Sequence, residues 1–272
     1  MKRILLVLLL ALPLVAVAQE VKVVSFNVRY NSWNNIDGEN GWPNRRSAVG
    51  KMILEERPAA IGLQEALPDQ INDIVEHTGY RYVGVGRDDG KEAGEFMAIC
   101  YDPGQLELLS ADTRWLSETP DMPSKGWDAA CMRTVTIARF RVKDSGREFW
   151  YFNTHLDHVG QQARAESTHL LAALVEEFAA ADMPVVLGGD MNSTIEDPVF
   201  GRLMDCGMQV ARDIAPETSH ALTYNAFGQG EGSVIDHFFV RNMEVARFRT
   251  LDGDYGVPYI SDHYPVEITV VL

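Results

Sequence analysis

The feature that most constrains the fold is a repeated pattern in which a short apolar run ends in a residue capable of chemistry. Val185 to Leu187 is apolar and leads through Gly188-Gly189 to Asp190. Runs of this length and composition predict buried strands. We predict that the two glycines let the backbone turn tightly where this strand ends.

The pattern recurs along the chain, at Asn27, Glu65, His155, Asp190 and Asn192. Strand ends on one rim of a sheet sandwich converge in space, so we expect these side chains to form one site. A carboxylate and an amide close together can orient a water and a phosphoryl oxygen, as a phosphoester hydrolase requires. The alternative for any one of them is a polar turn cap, because Gly, Asp and Asn are ordinary turn residues.

The order of predicted elements determines the fold class. Helices are predicted over 43–56, 68–77 and 161–181, and an irregular segment over 113–131. Strands are sometimes adjacent and sometimes separated by these helices, which fits a Rossmann or barrel repeat poorly. We therefore predict an α/β fold of two mixed β-sheets packed face to face, with helices outside. No linker or repeat divides residues 19–272, so they are predicted to form one domain.

The N-terminus has the order of a secretory signal peptide. Lys2-Arg3 precede an apolar run, and Ala16-Val17-Ala18 close it. We predict a signal peptide over residues 1–18, cleavage after Ala18, and an exported protein, periplasmic or secreted. The alternative is an N-terminal membrane anchor, for which the apolar run is short.

The charge distribution limits the partners of the chain. The full sequence has 24 Lys and Arg against 39 Asp and Glu, and without Lys2 and Arg3 the formal charge is −17. From Trp150 onward there are 18 acidic residues against 6 Arg and no Lys. Any polyanion is therefore expected to approach the N-terminal half, where the cations nearest the predicted rim are Arg29, Arg45, Arg46, Arg87, Lys91, Lys125 and Arg133.

Six short motifs together resemble the endonuclease/exonuclease/phosphatase superfamily, in that family's order and over nearly the whole mature chain. Any one motif is weak, but six in order are specific. Within the superfamily the chain is similar to an exported bacterial branch that resembles deadenylase-like members. The motifs are Ser25-Phe26-Asn27, Leu63-Gln64-Glu65, Asn153-Thr154-His155, Gly189-Asp190-Met191-Asn192, Ile235-Asp236-His237 and Ser261-Asp262-His263.

The resemblance implies a four-layer α/β sandwich that hydrolyses phosphoesters with a divalent metal. By this resemblance Glu65 binds Mg²⁺ or Mn²⁺, and Asn27 and Asp262 act as further or water-mediated ligands. Oxygen donors with few protein contacts suit Mg²⁺.

The same resemblance assigns the catalytic groups. Asp190 orients or deprotonates the attacking water, and Asn192 holds that water and a phosphoryl oxygen. His263 pairs with Asp236, which stabilises the charged imidazole. His155 binds a phosphoryl oxygen or assists the leaving group.

Several roles stay open from the sequence. Arg133 either contacts phosphate or stabilises a loop, and Asp157 and His158 either serve the site or form a charged helix entrance. The role of His237 is undecided. The tryptophans at 33, 42, 115 and 127 are predicted to pack within loops.

The reaction is predicted to be that of a nuclease-like phosphodiesterase acting on short or small substrates. The alternative enzyme is a phosphomonoesterase or a lipid or sugar-phosphate headgroup hydrolase. A binding module without turnover is a third alternative, which the intact carboxylates and histidines disfavour. A monomer is expected.

Overall fold

The computed structural model describes residues 19–272. The predicted signal peptide, residues 1–18, lies outside the described residues and stays a prediction. Within 19–272, none of the helices combines the length and the apolar character needed to span a bilayer.

Five helices and thirteen strands follow one another along the described chain. The helices are α1 (Trp42–Glu56), α2 (Pro68–Thr78), α3 (Gln161–Phe178), α4 (Gly201–Asp205) and α5 (Ala211–Ile214). The strands are β1 (Glu20–Asn27), β2 (Ala60–Gln64), β3 (Arg81–Val83), β4 (Ile99–Tyr101), β5 (Leu106–Trp115), β6 (Thr134–Val142), β7 (Glu148–His155), β8 (Val185–Asp190), β9 (Gln209–Val210), β10 (Glu217–Thr218), β11 (Asp236–Arg241), β12 (Glu244–Thr250) and β13 (Val266–Val271).

The strands form two mixed sheets. One has seven strands in the order β10-β12-β13-β1-β2-β4-β3, and the other has six in the order β5-β6-β7-β8-β11-β9. At the centre of the first sheet β1 and β2 run parallel, and at the centre of the second β7 and β8 do. Each parallel pair brings two carboxyl strand ends to the same edge.

The hydrophobic core has three parts that define four layers. Val23, Tyr151 and Phe238 belong to a fully buried cluster between the two sheets. A second cluster joins α1 and α2 to the outer face of the first sheet, and a third joins α3 and α4 to the outer face of the second. The predicted α/β sandwich of two mixed sheets flanked by helices is confirmed.

The predicted turn at Gly188-Gly189 is wrong, because strand β8 continues through both glycines to Asp190. The two glycines instead let neighbouring residues approach the backbone of β8 closely. A side chain at 188 would collide with the ring of Phe238, and one at 189 with the carbonyl of Thr154 on the paired strand β7.

Two other boundaries differ from the prediction. Strand β5 extends to Trp115, so the irregular segment begins later than residue 113, and α3 ends at Phe178. All three cysteines are free thiols, so Cys131 and Cys206 are not bridged.

Candidate active site

The fold brings the predicted site residues to one edge of the sandwich. Strands β7 and β8 end at His155 and Asp190, and antiparallel β11 begins with Asp236 opposite Asp190. Between the two sheets these residues border a cleft of about 540 Å³. Six of the eight predicted site residues line it, namely Glu65, His155, Asp190, Asn192, Asp262 and His263, while Asn27 and Asp236 are buried beside it.

Asp190 is the centre of the hydrogen-bond network. One of its oxygens, Oδ2, accepts from Asn27 Nδ2 at 3.0 Å and lies 3.3 Å from His155 Nε2 and 3.6 Å from His263 Nε2. The other, Oδ1, accepts the Asn192 backbone N–H at 3.0 Å. Burial raises the pKa of the Asp190 carboxyl above its ordinary value. A carboxylate with raised proton affinity is suited to take a proton from water near neutral pH.

His263 is held as a cation. Its Nδ1 lies 2.8 Å from Asp236 Oδ2. Burial acts against the charged form, but the negative charges of Asp236 and then Asp190 outweigh it and raise the pKa of His263. At neutral pH the imidazolium therefore sits beside the cleft, where negative charge would develop on a phosphoryl group.

His155 is held neutral. Burial and then the positive charges of Arg133 and His263 lower its pKa well below the ordinary value. Asn192 Nδ2 donates to the Leu156 carbonyl at 2.9 Å and lies 2.9 Å from His155 Nε2. Because the Leu156 carbonyl requires a donor, the side-chain nitrogen of Asn192, and not its oxygen, points toward both Leu156 and His155. In this arrangement Asn192 orients His155, and its predicted contact with the attacking water stays a prediction.

Glu65 and Asp262 form the acidic wall of the cleft. Glu65 Oε1 accepts from Asn27 Nδ2 at 3.0 Å, and Oε2 accepts the Tyr30 backbone N–H at 3.2 Å. The Arg29 side chain lies 3.9 Å from both carboxylates. Burial, with the negative charge of Glu65, raises the pKa of Asp262. Two carboxylates that repel each other in this way are suited to share a cation.

The donor set fits a hard divalent ion, with one qualification for Asn27. Its Oδ1 accepts the Arg29 backbone N–H at 3.0 Å, so its amide presents N–H groups to Glu65 and Asp190. Glu65 and Asp262 supply the oxygen donors that Mg²⁺ prefers. Asn27 orients Glu65 and Asp190 in this arrangement, which is compatible with the water-mediated form of its predicted role.

The opposite wall carries arginines that are already paired. Arg87 forms two bonds to Glu95, at 2.6 and 2.9 Å. Arg133 is 4% exposed, and its Nε donates to Asp157 Oδ2 at 3.2 Å. Its Nη2 donates to His158 Nδ1 at 2.9 Å, which leaves the His158 proton on Nε2. The guanidinium thus occupies the atoms with which Asp157 and His158 would bind a metal.

Asp157 is a structural anchor. Its Oδ1 accepts the backbone N–H groups of Ala130, Val159 and Gly160. Burial acts against ionisation, but these N–H donors outweigh it and lower the pKa of Asp157. The carboxylate therefore joins the start of α3, the irregular loop and Arg133.

The structure agrees with some of the remaining sequence interpretations and not with others. His237 is buried, and its Nε2 lies 3.0 Å from the Ser193 carbonyl, away from the cleft lining. Trp42 and Trp115 are packed, but they lie at the start of α1 and at the end of β5 rather than within loops, and they donate to Asp73 and the Arg87 carbonyl. Trp33 is 95% exposed, so its predicted loop packing is wrong.

Two of the cations assigned to the rim lie elsewhere. Arg45 is 1% exposed and enclosed by protein, and Arg46 pairs with Asp73 at a separate hollow on α1 and α2. Cleft residues that the sequence did not single out include Tyr30, Glu95 and Tyr224. Tyr224 packs its ring 5.0 Å from that of His263. These three stand outside the quoted motifs, so no local pattern indicated them.

Comparison with known proteins gives concordant matches. The model of the Endonuclease/Exonuclease/phosphatase family matches residues 24–263. A solved mannosyl-6-phosphatase of Bacteroides thetaiotaomicron is 33% identical with a TM-score of 0.87, and the match covers 93% of this chain and 100% of that one. An uncharacterized protein of Acanthamoeba polyphaga mimivirus is 28% identical over 267 residues, 91% of this chain and 99% of the viral one. Nocturnin of Drosophila melanogaster is 27% identical over 179 residues, 61% of this chain and 26% of the fly protein.

Proposed function

The chain belongs to the endonuclease/exonuclease/phosphatase family, an enzyme family of phosphoester hydrolases, and from this membership we propose that it hydrolyses small phosphomonoesters with a divalent metal. The predicted family resemblance is thereby confirmed, and the match to Nocturnin agrees with the predicted similarity to deadenylase-like members. Which phosphoester the enzyme takes, and which ion it uses, are the parts that we propose.

The observation that carries the choice of a small substrate is the pairing of every arginine in the cleft lining. Arg29 pairs with Asp37 at 3.1 Å, Arg87 with Glu95 at 2.6 Å, and Arg133 with Asp157 at 3.2 Å. Each charge is balanced, so the described cleft offers no row of free cations to a polyanion. Nucleic-acid backbones are bound mainly through such cations. A compact cleft with one centre for phosphate suits a small ester.

The likeness to the mannosyl-6-phosphatase supports the same choice, since it extends over that whole chain. A sugar phosphate fits the size and the polarity of the cleft. We therefore favour a phosphomonoester over the nuclease-like diester that the sequence first indicated.

In the proposed reaction each residue of the site has a separate role. Asp190 accepts the proton of the attacking water, His263 stabilises negative charge on the phosphoryl oxygens, and His155 hydrogen-bonds to the phosphoryl or the leaving group. Glu65 and Asp262 hold Mg²⁺ or Mn²⁺, which when bound supplies Lewis-acid polarisation of the phosphoryl oxygens. Asn27 keeps Glu65 and Asp190 in their mutual orientation through its two N–H contacts.

A short phosphodiester is the second candidate substrate. Tyr30 and Tyr224 both line the cleft, and an aromatic ring is a surface on which a nucleobase can stack. This candidate keeps the same metal and the same base.

A substrate panel decides between the two. Mannose 6-phosphate, glucose 6-phosphate and p-nitrophenyl phosphate would be compared with bis-p-nitrophenyl phosphate and a dinucleotide, with Mg²⁺, Mn²⁺ or EDTA. We expect the highest kcat/KM for a monoester and no turnover in EDTA. Diesters hydrolysed as efficiently as the best monoester would instead support the second candidate. The Asp190→Asn protein, prepared identically, controls for contaminating phosphatases.

Export remains a proposal that rests on residues 1–18 of the sequence. Secretion from a bacterial host followed by N-terminal sequencing should give a mature chain starting at Gln19. A chain that retains Met1 in the cytoplasmic fraction would contradict it.

A further inference from the structure

We propose that Arg45 is a positioning residue, which fixes the segment after β1 and the segment before β13 relative to each other and so sets the geometry of the acidic wall. Arg45 lies on α1 and is 1% exposed, among the largest fully buried side chains of the described residues. It does not line the cleft.

Its guanidinium donates only to main-chain carbonyls. Nη1 donates to Val28 at 2.9 Å and to Ile260 at 2.6 Å, and Nη2 donates to Arg29 at 3.2 Å. Nε donates to Asn40. Four carbonyls from three loops thus converge on one planar group.

Two of these loops carry the acidic wall and its support. Val28 and Arg29 directly follow Asn27, and Ile260 is two residues before Asp262. The Ser261 hydroxyl adds a second link by donating to the Asn27 carbonyl at 2.7 Å. A shift of either loop would change the separation of Glu65, which Asn27 holds, from Asp262.

The chemistry of the side chain explains why an arginine is needed. Guanidinium has five N–H donors in a rigid fork, whereas a lysine ammonium is a compact group with three. A lysine at this position could not reach carbonyls on both loops and Asn40 together. Arginine is therefore the only charged side chain that can serve all four acceptors.

The burial of Arg45 is costly, which argues for a role beyond packing. No carboxylate of the described residues lies within salt-bridge distance of it. Burial lowers its pKa to about 10, so it stays charged at neutral pH. The rings of Trp42 and Phe227 cover it at 5.5 and 5.7 Å. Well-packed apolar residues often stabilise a buried position as well as charged ones do, so packing alone does not account for a charge at this position.

The chain contains a matched control for this position. Arg241 is the last residue of β11, whereas Asp236 is the first. Arg241 is 8% exposed and donates to the Ala179 and Ala180 carbonyls. Arg45→Lys and Arg241→Lys remove the same kind of buried contact, one beside the acidic wall and one far from it.

The test measures metal binding and local stability, and it rests on the proposed function only for its first readout. Mn²⁺ affinity would be measured from the electron paramagnetic resonance signal of the free ion, and hydrogen exchange would be measured without metal. We expect Arg45→Lys to bind Mn²⁺ about tenfold more weakly, the size typical of groups that orient metal ligands. Amides of residues 27–30 and 260–263 should exchange faster. Arg241→Lys should lower Tm and change neither readout.

The outcomes distinguish the role of Arg45 from the proposed metal site. A folded Arg45→Lys protein with wild-type Mn²⁺ affinity and unchanged exchange would overturn the inference. If that variant does not fold, Phe227→Leu keeps Arg45 but removes a covering ring, and it should give a smaller loss in both readouts; no change in either would overturn the inference equally. If the wild type binds no Mn²⁺, the proposed metal site fails, while hydrogen exchange still decides the role of Arg45.

Discussion

At the scale of single residues, the site depends on two histidines beside one carboxylate, of which one is neutral and the other is a cation. His155 Nε2 and His263 Nε2 lie 3.3 and 3.6 Å from Asp190 Oδ2. Only His263 has a carboxylate partner of its own, Asp236, so only His263 is held protonated. The pair therefore supplies one positive charge, on the side of the cleft where Asp236 lies.

Asp236 and His263 should act as one unit. Asp236→Asn and His263→Gln are each expected to lower kcat by about 10²–10⁴-fold. The double variant should cost little more than the worse single change, because the carboxylate acts only through the imidazole. Steady-state kinetics of the four proteins measures the coupling. Losses that add in log rate would show that the two residues do not share a function.

The pH profile of kcat/KM should have an acidic and an alkaline limb, set by the raised pKa values of Asp190 and His263. Activity should rise with pH as Asp190 ionises, at a pH above the ordinary aspartate range because burial raises its pKa. It should fall as His263 loses its proton, above the ordinary histidine range. Removing the Asp236 charge should move this alkaline limb to lower pH. Profiles of kcat/KM for wild type and Asp236→Asn test this, and coincident alkaline limbs would refute it.

The raised pKa of His263 also affects stability. A group whose pKa rises on folding stabilises the folded state below its unfolded pKa, and this stabilisation is lost as pH rises through the folded pKa. The wild-type free energy of unfolding should therefore fall on the alkaline side more steeply than that of a His263→Gln protein.

The sequence identified which residues meet but not how each is oriented. Asn27 was placed at the site by its strand, yet its amide direction depends on the Arg29 backbone N–H. Arg29, Glu65 and Asn192 have left-handed backbone conformations, with φ of 55°, 59° and 47°. Only Asn among them commonly adopts this conformation, so nothing local in the sequence indicates the other two.

At the scale of elements, the site is built at strand ends and supported by loops that reach across the fold. Helix α3 begins after Gly160, which has no side chain to cap it. Asp128, in the irregular loop, accepts the Ala163 N–H at 2.7 Å and the Gln162 N–H at 3.3 Å. A side chain at position 160 would lie 2.5 Å from Asp128 Oδ1. The glycine thus makes room for a cap supplied by a distant carboxylate.

Removing this cap should loosen the loop more than the helix. Asp128→Ala is expected to lower the free energy of unfolding by about 1 kcal/mol, as for other lost N-caps. Limited proteolysis should cut within residues 116–133 faster than in wild type. Asp205→Ala, which removes an exposed carboxylate on α4, is the control. Equal cleavage rates and equal stability for Asp128→Ala and wild type would contradict the assignment.

The elements predictable from sequence were the long and apolar ones. Strands β2, β7 and β8 have uninterrupted apolar runs, β1 is rich in valine, and α1 and α2 have prolines at their starts. The extent of β5 was missed because it is an edge strand, and half of its residues are polar. The short α4, α5, β9 and β10 owe their conformation to tertiary packing, which local patterns do not show.

At the scale of the whole molecule, charge selects the substrate. The formal charge of the full sequence is −15, and the cleft arginines are paired with acids. Long duplex DNA should therefore bind weakly. At near-physiological salt, turnover per phosphoester should be far higher for small esters or dinucleotides than for plasmid DNA. Efficient plasmid nicking with a steep salt dependence would show that many phosphates are contacted and that the inference from charge is wrong.

The central claim is that Glu65 holds a metal without which the cleft does not hydrolyse phosphoesters. The most direct measurement is p-nitrophenyl phosphate hydrolysis by wild type and Glu65→Gln across a Mg²⁺ titration and in EDTA, with Glu107→Gln on the exposed edge strand as the control. We predict that EDTA abolishes wild-type turnover, that Mg²⁺ or Mn²⁺ restores it, and that Glu65→Gln is slower by at least about 100-fold with its fold intact. Undiminished hydrolysis in EDTA, or wild-type turnover by Glu65→Gln, would contradict the claim.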